Sequence, residues 1–215
     1  MKIRHQEQLY DELTKDISWR KKELASIRTL LSKNKNLSKD TVLRAGIALT
    51  YAHFEGFIKQ AASIYLNYLS YARLKLSDAV PSVIAMELKA QLSSAVNTKN
   101  IEELIKVVNL LQNKPDERCS NLLNYKIETD ANLNFTRLKN IAIALNLGYE
   151  SYEPLEKMID ENLLATRNVI AHGAYLTIDE AGFLDLQGKI LNIMEQFMNS
   201  ITQAVATKSY MKQKQ

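Results

Sequence analysis

Chain breakers are scarce here. Only 6 glycines and 3 prolines occur in 215 residues, which argues against many short strands joined by tight turns and in favour of long helices. The single cysteine, Cys119, cannot form an internal disulfide. A disulfide-stapled secreted scaffold is thereby excluded, and a reducing compartment, the cytoplasm, is expected. No run approaches the ~18 consecutive apolar residues of a membrane span, and residues 1–7 lack the apolar stretch of a secretory signal. No membrane partner is expected. His5, His53 and His172 are scattered, Cys119 has no companion at zinc-ligand spacing, and no glycine-rich phosphate loop occurs. Neither a metal nor a cofactor is expected.

What the chain does have is an ordinary globular balance, 46% hydrophobic and 24% charged residues, enough apolar material for a packed core rather than general disorder. Its length suits one helical domain over residues 1–215, with 1–36 as an N-terminal helix and connector and 208–215 as a frayed tail. The net charge of +4 and the pI near 9.0 permit a phosphate-bearing partner without demanding one.

Periodicity sketches the helices. Leu9, Leu13, Ile17, Leu24, Ile27 and Leu31 recur at helical spacing and predict a helix over 6–32, with Arg20-Lys21-Lys22 on a solvated face. After the polar connector 34–38, with Ser38 or Asp40 as cap, a longer helix is predicted to about Leu76. Its spine is Leu43, Ile47, Tyr51, Phe54, Ile58, Tyr65, Leu69 and Ala72. Ala45, Ala52 and Gly56 make a second, narrow face where a neighbouring backbone could approach. Pro81 opens a third helix to about Val96, and Asn100 caps a fourth through Leu111. Residues 116–134 carry little periodic signal, and an extended run is expected over 121–125. A helix over 136–147 closes on Gly148. Another runs from Glu153-Pro154 to His172, with Gly173 just beyond, and the last spans 183–208.

The chemistry-bearing stretch is Arg167-Asn168-Val169-Ile170-Ala171-His172-Gly173. A histidine at a helix C-terminus can move protons near neutral pH. Arginine keeps its charge and offers a planar fork to phosphate oxygens. Together they suffice for metal-free RNA cleavage, in which the substrate's 2′-hydroxyl attacks and the arginine stabilises the phosphorane. On a continuous helix Ile159, Leu163, Thr166 and Ile170 form one apolar stripe, and Met158, Ala165 and Val169 a second. Asn168 lies one turn before His172, where its amide could orient the imidazole. Arg167 points about 140° away from His172, so two copies meeting across a two-fold axis would complete a site more readily than one. The bland alternative is an arginine at a stripe edge and a histidine capping a helix.

Arg167-Asn168-x-x-x-His172 resembles the signature of HEPN domains, a helical family in which an Arg, a polar residue and a His form the active site. A second stretch, Phe54-Glu55-Gly56, resembles the aromatic-Glu-Gly segment of a toxin-like bacterial HEPN subgroup, with Arg44 matching an arginine about one element earlier. The resemblance covers roughly residues 40–205. It implies an all-α, HEPN-like helical bundle built around two long antiparallel helices, with an additional N-terminal helix. It also implies homodimerisation and metal-independent endoribonuclease action in a toxin–antitoxin or phage-defence setting. Arg167 and His172 would then be catalytic, Asn168, Glu55 and Arg44 supporting, RNA the substrate, and an antitoxin protein a partner. Glu55 has the ordinary alternative of pairing with Lys59 one turn on. Some members carry a modifiable Tyr two residues after the His; here Tyr175 stands three after it. The alternative function is a non-catalytic HEPN-like module for RNA binding or protein docking.

Overall fold

The computed structural model describes residues 2–33, 37–98, 101–130 and 132–213. Seven α-helices carry these residues: α1 (Gln6–Lys33), α2 (Leu37–Tyr71), α3 (Pro81–Thr98), α4 (Ile101–Asn113), α5 (Phe135–Ala144), α6 (Thr166–Ala171) and α7 (Glu180–Thr207). A 3-10 stretch, Glu150–Leu155, and a π-helical stretch, Met158–Ala165, lead into α6. Among the described residues no strand forms, only two isolated bridges, Lys75 with Arg118 and Ala79 with Met211. None of their helices is long and apolar enough to cross a membrane.

Directions follow from named contacts. The Ile3 N–H donates to Asn67 Oδ1 at 2.8 Å, Arg20 Nη1 reaches the His53 carbonyl at 3.4 Å, and Ile27 lies over Gly46. α1 therefore runs antiparallel to α2. It is antiparallel to α7 as well, since Gln6 meets Val205 while Leu24 and Arg28 meet Gln187. α2 and α7 consequently run in the same direction, with Lys39 paired to Glu180 at one end and Tyr68 edge-on to Tyr210 at the other. The N-terminal helix supplies the long antiparallel partner. Its Leu9, Leu13, Ile17, Leu24, Ile27 and Leu31 are all buried, and so is every predicted spine residue of α2 except Ala72, which lies past the helix end. Each such side chain contributes about 1.5–3 kcal/mol by leaving water.

At Gly46 side chains from both of the other long helices press against α2. A Cβ there would stand 2.7 Å from Cζ of the buried Phe183 and 3.0 Å from Ile27. Of the predicted narrow face, only Gly56 has a close neighbour, the Arg20 guanidinium, while Ala45 and Ala52 are exposed. Arg20 is thus buried rather than solvated. Asp16 holds it through two hydrogen bonds of 2.8 and 3.2 Å, and it lies over the Trp19 ring. Trp19 meets buried His53 edge-on, and His53 Nε2 sits 2.8 Å from Glu23 Oε2, off the line of a good hydrogen bond.

Other sequence expectations change for local reasons. The connector 34–36 and the proposed Asn100 cap lie outside the described residues; α2 starts at Leu37, which puts Ser38 and Asp40 inside its first turn. α2 stops at Tyr71 because Arg73 turns left-handed, φ 57°. Residues 122–124 form a 3-10 turn rather than an extended run, since buried Glu87 of α3 accepts the Ser120 and Asn121 N–H groups at 2.9 Å. Asn146, φ 55°, closes α5 in place of Gly148, its N–H and that of Leu147 going back to Ile143 and Ala142. The tail is held through residue 212: Tyr210 is buried, its carbonyl accepts from Val80, and Lys212 donates to the Asp78 carbonyl at 2.8 Å. Burial pushes the Cys119 thiol up to about 12, which leaves it unreactive.

Two stability predictions follow. Gly46→Ala gains about 1 kcal/mol of helix propensity but crowds a buried ring, for a net loss of about 1–2 kcal/mol in urea melts. Burial, opposed by Glu23 and aided by Arg20, holds His53 below its usual 6.5. Its contribution is complete above about pH 6.5 and is lost as pH falls toward the depressed value, because the unfolded chain takes the proton first. Unfolding free energies at about pH 7.5 and about pH 5.5 should differ more for wild type than for His53→Asn.

Candidate functional site

One face of α2 organises the site. Arg44, Tyr51 and Glu55 are spaced by seven and four residues, so they share that face. The chain returning through α6 runs antiparallel beneath them. Arg44 meets the segment after α6, and Tyr51 meets Arg167 near its start.

Three helical geometries in succession deliver Arg167. Pro154 lacks an N–H and sits in the 3-10 stretch. The π stretch then buries Ile159 and Leu163 completely against the core. The predicted stripe assumed one continuous α-helix; the wider π turns alter its phase, so Thr166 and Ile170 are only half-buried and Val169 is exposed. Asp160, within the π stretch, accepts the Phe135 N–H at 2.7 Å and so ties the segment to the start of α5. The Asn134 side chain caps the same helix, accepting from Arg137 N–H at 2.9 Å.

The Arg167 guanidinium lies on the Tyr51 ring, 3.9 Å from its centroid, and Nη1 donates to Asn168 Oδ1 at 2.8 Å. This corrects the expected pairing of the Asn168 side chain with His172. Neighbours in sequence do not usually face each other on a helix, but a long arginine can bend back onto the next side chain. His172 occupies the C-cap, φ −83° and ψ 8°, and its N–H donates to the Asn168 carbonyl at 3.0 Å. Its imidazole is exposed and has no side-chain partner among the described residues. Gly173 follows at φ 78°, returning its N–H to Ile170 while Ala174 returns to Val169. That closure needs the left-handed residue that glycine supplies.

Glu55 accepts a short hydrogen bond from the buried Thr129 hydroxyl rather than pairing with the exposed Lys59. Its carboxylate also faces the Tyr51 hydroxyl, which accepts the buried Leu133 N–H at 2.6 Å. Burial is the first cause of the raised Tyr51 pKa; Glu55 adds to it, and the Leu133 bond and Arg167 oppose it. Tyr51 therefore stays neutral and does two jobs, bedding the arginine and anchoring Leu133. Sequence reasoning assigned it to the core alone, although its spacing from Arg44 and Glu55 already placed it on their face. Arg44 Nη2 donates to the Ala174 carbonyl at 3.0 Å. Among the described residues, no group of three or more His, Cys, Asp or Glu is placed to hold a metal ion.

A helical core thus carries a short helix, with Arg167 near its start and His172 at its C-cap, packed on its longest member. The model of the HEPN family described as MAE_28990-like HEPN matches residues 9–210. The chain belongs to the HEPN family. Comparison with curated proteins and with solved structures returned no match.

Tyr51→Phe keeps the ring beneath Arg167 but strips the Leu133 N–H of its acceptor. A buried donor left alone costs roughly 1–3 kcal/mol. Amide exchange at Leu133 should accelerate in this variant, with a global loss of about 1–2 kcal/mol.

Proposed function

We propose that the protein is a metal-independent endoribonuclease whose site is built on Arg167 and His172. The observation that carries this reading is the fixed Arg167 guanidinium, half-buried on Tyr51, five positions before an exposed imidazole at a helix end, in a chain of the HEPN family. The phosphodiester would rest against Arg167. The 2′-hydroxyl gives up its proton to a general base, its oxygen attacks phosphorus, and the 5′-oxygen leaves with a proton from a general acid. The products carry a 2′,3′-cyclic phosphate and a free 5′-hydroxyl. His172 takes a proton-transfer role. Asn168 holds the arginine fork, while Glu55 and Arg44 support the site by fixing Thr129 and the turn after α6.

One imidazole cannot be acid and base at the same instant, and Arg167 faces α2 while His172 faces solvent. A homodimer with a composite site supplies the second histidine, and the exposed Val169 on the motif helix offers apolar surface for such a contact. The protein acts as one helical domain in the cytoplasm, as a toxin of a toxin–antitoxin or phage-defence system restrained by a cognate antitoxin. The second reading, a non-catalytic HEPN-like module that binds RNA or docks a protein, draws on a specific observation: the His172 imidazole has no orienting side-chain partner among the described residues.

Purified protein should cut RNA in EDTA and leave 2′,3′-cyclic phosphate ends, sparing DNA. His172→Ala should lose ~100-fold or more. Arg167→Ala should lose a comparable factor, as removal of a preorganised charge-stabilising donor does. Full cleavage by His172→Ala would sink the assignment. RNA binding without cleavage, surviving Arg167→Ala, would establish the second reading. Induced expression should arrest growth with wild type but not with either alanine variant.

A further inference from the structure

Past the motif helix the chain builds something that phosphate chemistry does not require. Gly173 reverses the backbone, and the reversed segment is pinned twice: from α6, where the Ala174 N–H donates to Val169 at 3.1 Å, and from α2, where Arg44 donates to the Ala174 carbonyl at 3.0 Å. Tyr175 comes next. At 69% exposure it is the most exposed large hydrophobic side chain among the described residues. It is nevertheless not a loose ring, because the Arg44 guanidinium stands 5.6 Å from its centroid. A tyrosine so exposed contributes little to folding by burial. What remains is an aromatic surface on a fixed backbone, backed by a cation, three residues beyond His172.

We propose that Tyr175, braced by Arg44, is a stacking platform for an unpaired nucleobase of the RNA, next to the phosphate held at Arg167 and His172. This subsite rests on the ribonuclease reading and narrows its substrate to single-stranded RNA. A base in a duplex is already stacked on both faces and cannot be presented to a side chain without being unpaired. An aromatic face accepts any base, so the platform sets position along the strand more than sequence. The arginine supplies positive charge beside the ring, which favours the phosphate adjoining a base stacked there. Arg44 thus acts as a positioning residue, through both the loop carbonyl and the ring.

The test separates binding from cleavage. Short 2′-O-methyl oligoribonucleotides, which lack the attacking hydroxyl and so cannot be cut, would carry 2-aminopurine at the centre and be titrated into full-length protein. Stacking should quench the probe. Tyr175→Ala should bind ~10-fold more weakly and lose the quench, whereas Tyr175→Phe, which keeps the face, should stay within about twofold of wild type. The same oligonucleotide annealed to its complement should bind at least ~10-fold more weakly than the single strand. In cleavage assays on unmodified RNA, Tyr175→Ala should raise KM more than it lowers kcat.

Equal binding by wild type and Tyr175→Ala would overturn the proposal, as would equal affinity for duplex and single strand, or no binding of any probe by wild type. Conversion of a dimer to a monomer by Tyr175→Ala in sedimentation, with the quench lost, would assign the ring to a subunit interface and overturn it too. Quenching that depends on Tyr175 in a protein that never cleaves RNA would keep the platform and remove the nuclease reading. Cleavage with a KM indifferent to Tyr175 would do the reverse.

Discussion

Arginine cannot shed its charge, so a half-buried guanidinium must be satisfied where it lies. Arg167 lies on the neutral ring of Tyr51, with the Asn168 amide closing its fork. Much of the surrounding structure depends on that contact. The Tyr51 hydroxyl holds the backbone of Leu133, Glu55 holds Thr129, and Asp160 holds the first N–H of α5. Thr129, Leu133 and the motif segment are thereby fixed to the same helix face that fixes the arginine. Under the proposed function, a stacked guanidinium with this support would lose little freedom on meeting a phosphate, which is the physical content of preorganisation.

α2 can carry this site because two of its neighbours, α1 and α7, bury much of its remaining surface. α1 and α7 cover it over most of its length, and Gly46 and Gly56 admit a ring from one neighbour and a guanidinium from the other. The Asp16–Arg20–Trp19–His53 cluster lies just across the helix from Tyr51 and Glu55. A charge network on one side and a charge site on the other put two expensive burials within two turns of a single helix. Both need the apolar spine between them, Phe54 and Ile58 included, to stay rigid.

The long helices were legible because their apolar residues repeat every three or four positions and nearly every repeat is buried. The helix end at His172 and Gly173, which frames the candidate motif, was legible from the glycine that follows the last helical positions. Tyr51 was legible as a core residue, and at 2% exposure it is one, but the periodic pattern does not say what its ring supports. Thr129 and Leu133 were out of reach, since a buried threonine and a backbone N–H have no periodic signal. Residues 116–134 were opaque for the same reason, being organised by Glu87, Tyr51 and Glu55 from distant helices. The π stretch was hidden because Ile159 and Leu163, four apart, fit a wide helix as readily as an ordinary one.

That stretch bears on how relatives of this protein diverge. A substitution within 158–165 changes a side chain, but an insertion or deletion of one residue changes which way everything after it faces. Natural variation there should be read by counting residues between Ile159 and Arg167 rather than by matching letters. Two homologues that share every motif residue but differ by one in that count present the arginine to different surroundings. Along this part of the chain the number of residues therefore constrains where Arg167 points as strictly as their identity does.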